Sequence, residues 1–372
     1  MKKVLTTLLL SFCGIMMANA QIADGFYHIR NAGTGRYISI NDTNPENYEV
    51  SQSGTVNMGG IRTYINYDSV AVSPSCVIFV SALPGGGYNL SGQGSSIYAM
   101  TSNRLPIDIT SNGNGTYKIS GTYKGFTKYL TDRSPSDEDG YLVSTETGMS
   151  NWTFEPINTS NEFIAIHPDV KTADGIYYGT IYAAFNFRLV SPGMKAFYIS
   201  NAGGTGFTMN PIEEEVITAG TPVIIRCNSS NIEDNKIEPV IGYYPFDSPN
   251  WLKGVYCSLK ASKHSNYKLF DRITMRILGL SDDGELAFIA NPPLERLYSG
   301  QFLMANKAYL EVSPGDAEVM LHGKYDPQAI NSIQSEGNTS AAIYTLTGVR
   351  LPDGVTPRAG IYVKDGKKFI IK

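Results

Sequence analysis

Charge is scarce in this chain, and so are histidine, cysteine and tryptophan. Lys, Arg, Asp and Glu make up 17% of the 372 residues, too little for long solvent-exposed helices or for a charge-extended disordered polymer. The four histidines (His28, His167, His264, His322) are scattered, with no H-E-x-x-H and no paired His/Cys spacing, so the zinc-site pattern is missing. No G-x-S-x-G elbow occurs, which excludes a serine hydrolase built on that turn. The glycine-rich runs at 85–87 and 203–206 lack a strand–loop–helix setting and read as turns rather than phosphate cradles. A run long enough to span a bilayer is also missing. The apolar stretch from Val4 to Met17 falls short of the roughly 20 residues a membrane helix needs.

That stretch has another reading. Lys2 and Lys3 precede it and Ala18-Asn19-Ala20 follows it, the layout of a cleaved export signal over residues 1–20. Phe12 stands where a lipobox needs a small residue, so Cys13 is not expected to carry lipid. Removing Lys2 and Lys3 from the 30 Lys and Arg leaves 28 basic against 34 acidic side chains, a net charge of −6. Such a balance gives no basis for nucleic-acid binding or for insertion into an anionic membrane after cleavage. The expected location is outside the cell or on the outer surface. Of the three remaining cysteines, Cys227 and Cys257 could form a bridge with Cys76 left over, or all three could be buried small hydrophobes.

What the sequence does have is alternation punctuated by glycine. Residues 25–40, GFYHIRNAGTGRYISI, read as a strand, a Gly33-Thr34-Gly35 turn and a returning strand. The pattern returns as GGYNLSGQGSSIYAM at 86–100 and as GTYKISGTYKGFTKYLTD at 115–132. Tyr27 precedes Tyr37 by ten positions, Tyr88 precedes Tyr98 by ten, and Tyr117 precedes Tyr129 by twelve. The repeated tyrosines are expected in a shared core. Further strands are expected at 76–80, 107–110 and 151–157, with 161–166 as the last strand of the first domain and His167-Pro168-Asp169 as a linker. Short strand-like runs continue from 175 to about 325. Tyr267 to Leu278 has ambiguous periodicity and reads mostly as strand. Asp365-Gly366 between two apolar runs predicts a hairpin.

The motifs G-x-Y-x-I-x-N, T-G-x-Y-I and a closing W-T-F-E-P-I resemble a ricin-type β-trefoil lectin domain over 21–158, with an insertion near 44–67 and without that family's Q-x-W. The pieces T-I-Y-A-A-F-N-F (180–187), I-T-A-G-T-P-V-I-I (217–225), N-W-L-K-G (250–254) and A-N-K-A-Y-L (305–310) are similar to an accessory module of Bacteroidetes secreted proteins. I-Y-T-L-T-G-V-R (343–350) and G-I-Y (360–362) resemble the end of a type IX secretion sorting domain. The implied architecture is all-β: an N-terminal β-trefoil over 21–158, a β-sandwich-like domain over 159–328, and a linker with a small C-terminal β unit over 329–372.

The resemblance implies a non-catalytic, lectin-like protein whose partner is a carbohydrate or a glycoprotein surface. In ricin-like repeats an acidic residue after the second strand grips sugar hydroxyls. Asp42 and Asp132 occupy that place here, with Asn44 and Tyr48 as neighbours of the first and Tyr141 of the second. The middle repeat offers only Thr101 and Ser102. Each Asp could equally be a turn residue bonding its own backbone. The oxygen-rich run Asp132, Ser134, Ser136 and Asp137-Glu138-Asp139 lacks the glycine and distal glutamate of a calcium loop and reads as solvated. No cofactor or metal is expected. A structural or adhesive surface protein is the alternative, and a secreted hydrolase is less favoured because no facing carboxylate pair stands out.

Overall fold

The first repeat forms a strand at Gly25–Asn31, as its alternation predicts, in the computed structural model. The described residues are 21–40, 49–50, 56–62, 70–92, 95–96, 107–123, 125–132, 139–143, 147–158, 162–203, 206–256, 268–314, 319–321, 343–345, 360–364 and 367–371. Among them the protein is nearly all-β, with short turns of 3-10 helix and α-helical backbone at Val70 in between. The chain forms two compact units, Met1–Leu321 and His322–Lys372. The export signal, Cys257 and the trio Asp42, Asn44 and Tyr48 lie outside the described residues.

All three repeats form hairpins, and all three belong to one twelve-stranded sheet. In the first, Arg30 bridges Tyr37 and the Ile38 N–H donates to the Ile29 carbonyl at 2.8 Å. In the second, Tyr88–Gly92 turns back onto Ser95–Ser96. In the third, Tyr117–Tyr123 pairs with Phe126–Thr131. The closing strand Asn151–Pro156 runs between the first and third, pairing with Gly25–Asn31 on one side and with Tyr117–Tyr123 on the other. One core follows from this arrangement: Tyr27, Ile29, Ile38, Leu90, Ile119, Leu130 and Trp152 pack together from every repeat. A lone hairpin is marginal in water because one face stays wet, and pooling three faces removes that cost.

The region expected as an insertion contributes a strand. Val56–Arg62 pairs with Ser39–Ile40 and with Asp139–Val143, joining the first repeat to the segment after the third. The segment expected to close the first domain belongs elsewhere. Ile164–Ala165 pairs with Lys236–Val240 in a three-stranded sheet completed by Asn186–Leu189. Beyond it, ten strands from Val170 to Leu321 form a second large sheet, in which only Gly206–Pro211 and Val319–Leu321 run parallel. Residues 268–274 are irregular backbone and a turn, and the strand Met275–Leu280 begins only after them, so most of the stretch read as strand is not strand.

Apolar packing crosses from the first sheet to the following ones. Phe26 contacts Phe185 at 6.0 Å between ring centres, and Val77 shares a core with Ile164, Phe187 and Ile225. The second unit contains Ile343–Thr345, Gly360–Lys364 and Lys367–Ile371 in antiparallel order, with Lys364 opposite Lys367 across the expected Asp-Gly turn. No helix among the described residues is long and apolar enough to cross a membrane.

Trp152 shows how closely this core is specified. It is fully buried, and its indole N–H donates to the Leu130 carbonyl at 3.1 Å. Trp152→Ala is expected to cost about 3–5 kcal/mol, read from the urea midpoint, because a large cavity opens and a buried carbonyl loses its donor. A loss under about 1 kcal/mol would contradict a single core shared by the repeats.

Candidate functional site

Asp132 is fully buried. Arg36 grips it with two nitrogens: Nε donates to Oδ2 at 2.8 Å and a terminal nitrogen donates to Oδ1. The Thr34 hydroxyl donates to Oδ2 as well. The turn that delivers these donors is built locally. Asn31 Oδ1 accepts from the N–H groups of Gly33 and Thr34 at 2.9 and 3.0 Å, and Gly35 takes φ +75°, where a side chain would be strained. The Asp132 carboxylate therefore clamps the first turn to the third hairpin and presents no free oxygen edge to solvent. Tyr141 lies opposite Thr131 on the adjacent strand. Of the five residues singled out from sequence, the structure thus brings together the backbones around Asp132 and Tyr141.

A concave site lies elsewhere, at the junction of the first sheet with the strands that follow. A cavity of about 490 Å³ is lined by Val72 and Pro74 from the first region, by Ile166 to Asp169, by Glu295 and Arg296, and by Leu303 to Tyr309. Asp169, expected in a linker, is its most constrained group. Its Oδ2 accepts from the Thr180 N–H at 2.7 Å and from the Thr180 hydroxyl at 3.3 Å. Its Oδ1 lies 2.8 Å from Lys307 Nζ and 3.9 Å from Arg296 Nη2. Arg296 is held in turn by two carbonyls, of Asp169 at 3.0 Å and Leu278 at 2.9 Å. Lys307 Nζ also donates to the Thr180 carbonyl at 3.2 Å.

Local backbone chemistry makes this arrangement possible. A side chain on Gly179 would stand 2.9 Å from the His167 carbonyl, so glycine lets the strand Tyr177–Ile181 approach the His167-Pro168 segment. Asn306 adopts φ +58°, a conformation asparagine tolerates better than most residues. Its side-chain amide donates to the Tyr182 carbonyl at 2.9 Å, its carbonyl accepts from the Tyr182 N–H, and its N–H donates to the Val255 carbonyl. That turn delivers Lys307 to Asp169.

Burial alone would push the Asp169 carboxyl up, but the Lys307 and Arg296 charges outweigh it and hold the group below the usual carboxylate range. The carboxylate is therefore a fixed anion. Cys227, with Lys307 nearby, and Cys76 are buried free thiols, and burial pushes both up to about 12. Neither is ionised near neutrality, and the buried-hydrophobe reading of these two cysteines is the one realised.

A third polar cluster lies on the outer face of Gly25–Asn31. His28 is buried opposite Glu155, and its Nδ1 donates to Glu162 Oε2 at 3.3 Å. Burial first, and Glu162 second among the raising influences, push the Glu155 carboxyl up, against the opposing hydrogen bond from Tyr37. Sequence reasoning missed the Asp169–Lys307–Arg296 set because its members are up to 138 residues apart and no local motif links them. No family model matches the chain, and no curated protein matches it.

Two pH effects of opposite sign follow. Asp169 binds its proton less tightly folded than unfolded, so its stabilisation is present above about pH 4 and is lost as pH falls through the depressed folded value. Asp169→Asn is expected to cost about 3–5 kcal/mol near neutrality, since two cations lose their counter-charge. Urea titrations from about pH 6 to pH 2 should show the gap to the parent protein shrinking; a gap that widens would refute the assignment. Glu155 behaves conversely. Its raised folded pKa makes stability fall as pH rises above about 4.3, and Glu155→Gln should flatten that part of the profile.

Proposed function

We propose that the protein is an exported, non-catalytic carbohydrate-binding protein, with a ricin-like trefoil followed by a β-sandwich-like accessory domain, and that sugar is held in the junction cavity. The observation that carries this reading is the composition of the cavity wall. Ile166, Ile181, Val255 and Leu303 supply apolar surface, while Asp169, Arg296 and Lys307 are locked in place by each other and by backbone groups. Sugars combine hydroxyl edges with apolar C–H faces, and fixed polar groups on an apolar wall are complementary to both. Preorganisation limits the entropy lost on binding.

The carboxylate in this wall does not suit acid–base catalysis. A group held ionised by two cations and a backbone N–H is a poor proton carrier near neutrality. The buried thiols are equally poor nucleophiles. Sugar contacts at Asp132 are disfavoured because Arg36 and Thr34 occupy the carboxylate. Asp42, with Asn44 and Tyr48, remains the site implied by the sequence resemblance in the first repeat.

One observation favours a second reading, an adhesive protein that binds other proteins. Ile241, Tyr243 and Trp251 are exposed on the segment around 241–251, with Tyr243 at 90% of its full accessibility. Exposed aromatic side chains are common at protein contact surfaces.

A glycan array probed with residues 21–372 separates the two. Binding that is abolished by Ala305→Trp, which fills the cavity from a partly exposed lining position, with folding retained, is the expected result. Loss in Asp42→Ala with retention in Ala305→Trp would move the sugar to the first repeat. A flat array with folded protein would defeat the carbohydrate reading.

A further inference from the structure

We infer that the saccharide taken by the junction cavity is acidic, with a carboxylate group seated against Lys307 and Arg296. This rests on the carbohydrate reading above and goes beyond it by fixing the ligand's charge.

The charged side chains that line the cavity are Asp169, Glu295, Arg296 and Lys307. Glu295 is exposed, and among the described residues it forms no ion pair. The other three are largely withdrawn from water, with side-chain exposures of 10% for Asp169, 24% for Arg296 and 30% for Lys307. Two cations thus face the one withdrawn carboxylate, while the second carboxylate of the lining, Glu295, stays in water. His167 also lines the wall and adds no negative charge.

Hydrogen-bonding capacity points the same way. Asp169 already accepts twice at Oδ2 and faces both cations at Oδ1, so it has little left to offer a ligand hydroxyl. Lys307 donates to Asp169 and to the Thr180 carbonyl, which uses two of its three ammonium hydrogens. Arg296 donates to two carbonyls, which leaves guanidinium N–H groups in excess. A wall with spare donors and a saturated acceptor selects a ligand group that only accepts. A carboxylate meets both conditions, since it supplies the missing charge and four acceptor positions. Neutral hydroxyl ligands would satisfy the donors while leaving the charge uncompensated.

Other anions share part of this chemistry, so the experiment must separate them. Calorimetric titration of residues 21–372 at low salt would use a tri-galacturonate as probe. Its uncharged methyl ester, a sulfated neutral trisaccharide and a short peptide with a free C-terminal carboxylate provide the comparisons. The expected result is tightest binding of the uronate, with the ester at least ~10-fold weaker, the difference between a charge-assisted and a neutral contact. Uronate affinity should also fall with added salt.

Lys307→Gln reduces the inward charge to neutrality. It should abolish the preference for uronate over ester, lowering uronate affinity more than ester affinity, and Lys307→Arg should restore the preference. A thermal melt checks folding. Should Lys307→Gln fail to fold, the uronate/ester ratio of the parent protein decides alone. Equal binding of uronate and ester overturns the charge inference and leaves the carbohydrate reading intact. Preference for the sulfated sugar overturns the carboxylate assignment. Binding of the peptide alone, or of nothing, overturns both the inference and the reading it rests on.

Discussion

The strand Gly25–Asn31 buries one face fully and, through Phe26 and His28, part of the other, and much of the architecture is a consequence. Tyr27 and Ile29 enter the core shared by the three hairpins, while Phe26 and His28 are covered from the opposite side by Phe185, Glu162 and their neighbours. A strand that buries one face can stand at the boundary of a domain, whereas one that buries both needs a partner layer. The first sheet is therefore fused by apolar contact to the strands that follow it. The junction cavity is what remains where two twisted surfaces meet without complete complementarity, between Pro74 on one side and the Asp169 region on the other.

Polar groups caught in such junctions must be satisfied there, because water is not available to do it. The chain solves this twice with a buried Asp and a guanidinium. Asp132 with Arg36 and Thr34 ties the first turn to the third hairpin. Asp169 with Lys307, Arg296 and Thr180 ties the first strands of the second region to its last ones. The two solutions differ in stoichiometry. One carboxylate against one guanidinium closes the account at Asp132, whereas one carboxylate against two cations leaves a surplus at Asp169. In the proposed reading, that difference is what separates a structural clamp from a wall able to receive a ligand.

The hairpins were legible in the sequence because their information is local. Alternation fixes which residues face inward, and Gly33-Thr34-Gly35 marks where the first repeat reverses. The same logic identified Tyr27 and Tyr88 as members of the shared core, whereas Tyr37 is buried in a separate cluster with Val70 and Cys76 and Tyr129 is only half-buried. One assignment failed because its pairing depends on a distant partner, while the insertion expected near 44–67 contributes the strand Val56–Arg62, with Asp139–Val143 and Ser39–Ile40 as its ladder neighbours. Ile164–Ala165 reads as an end of the first domain, but its partner, Lys236–Val240, lies more than seventy residues later. Side-chain roles were harder still. Position after a strand suggested that Asp132 faces solvent, and only the fold shows Arg36 delivered to it by a turn 96 residues earlier.

Asp169 illustrates why a residue in an apparent linker can be the centre of a site. His167-Pro168-Asp169 carries no apolar pattern, and proline breaks the strand periodicity that would flag it. Once Gly179 admits the segment against the neighbouring strand, the carboxylate is withdrawn from water and must find cations. Lys307 is supplied by the Asn306 turn and Arg296 by the single helical turn Leu294–Arg296, so the site exists only when three separate chain segments are in register. A site assembled in this way is rigid because each charge is held by at least two partners. Rigid groups of mixed character on an apolar wall favour selective recognition, while proton transfer requires a group free to change its charge. The cavity has the first property, and the ion pairs around Asp169 work against the second.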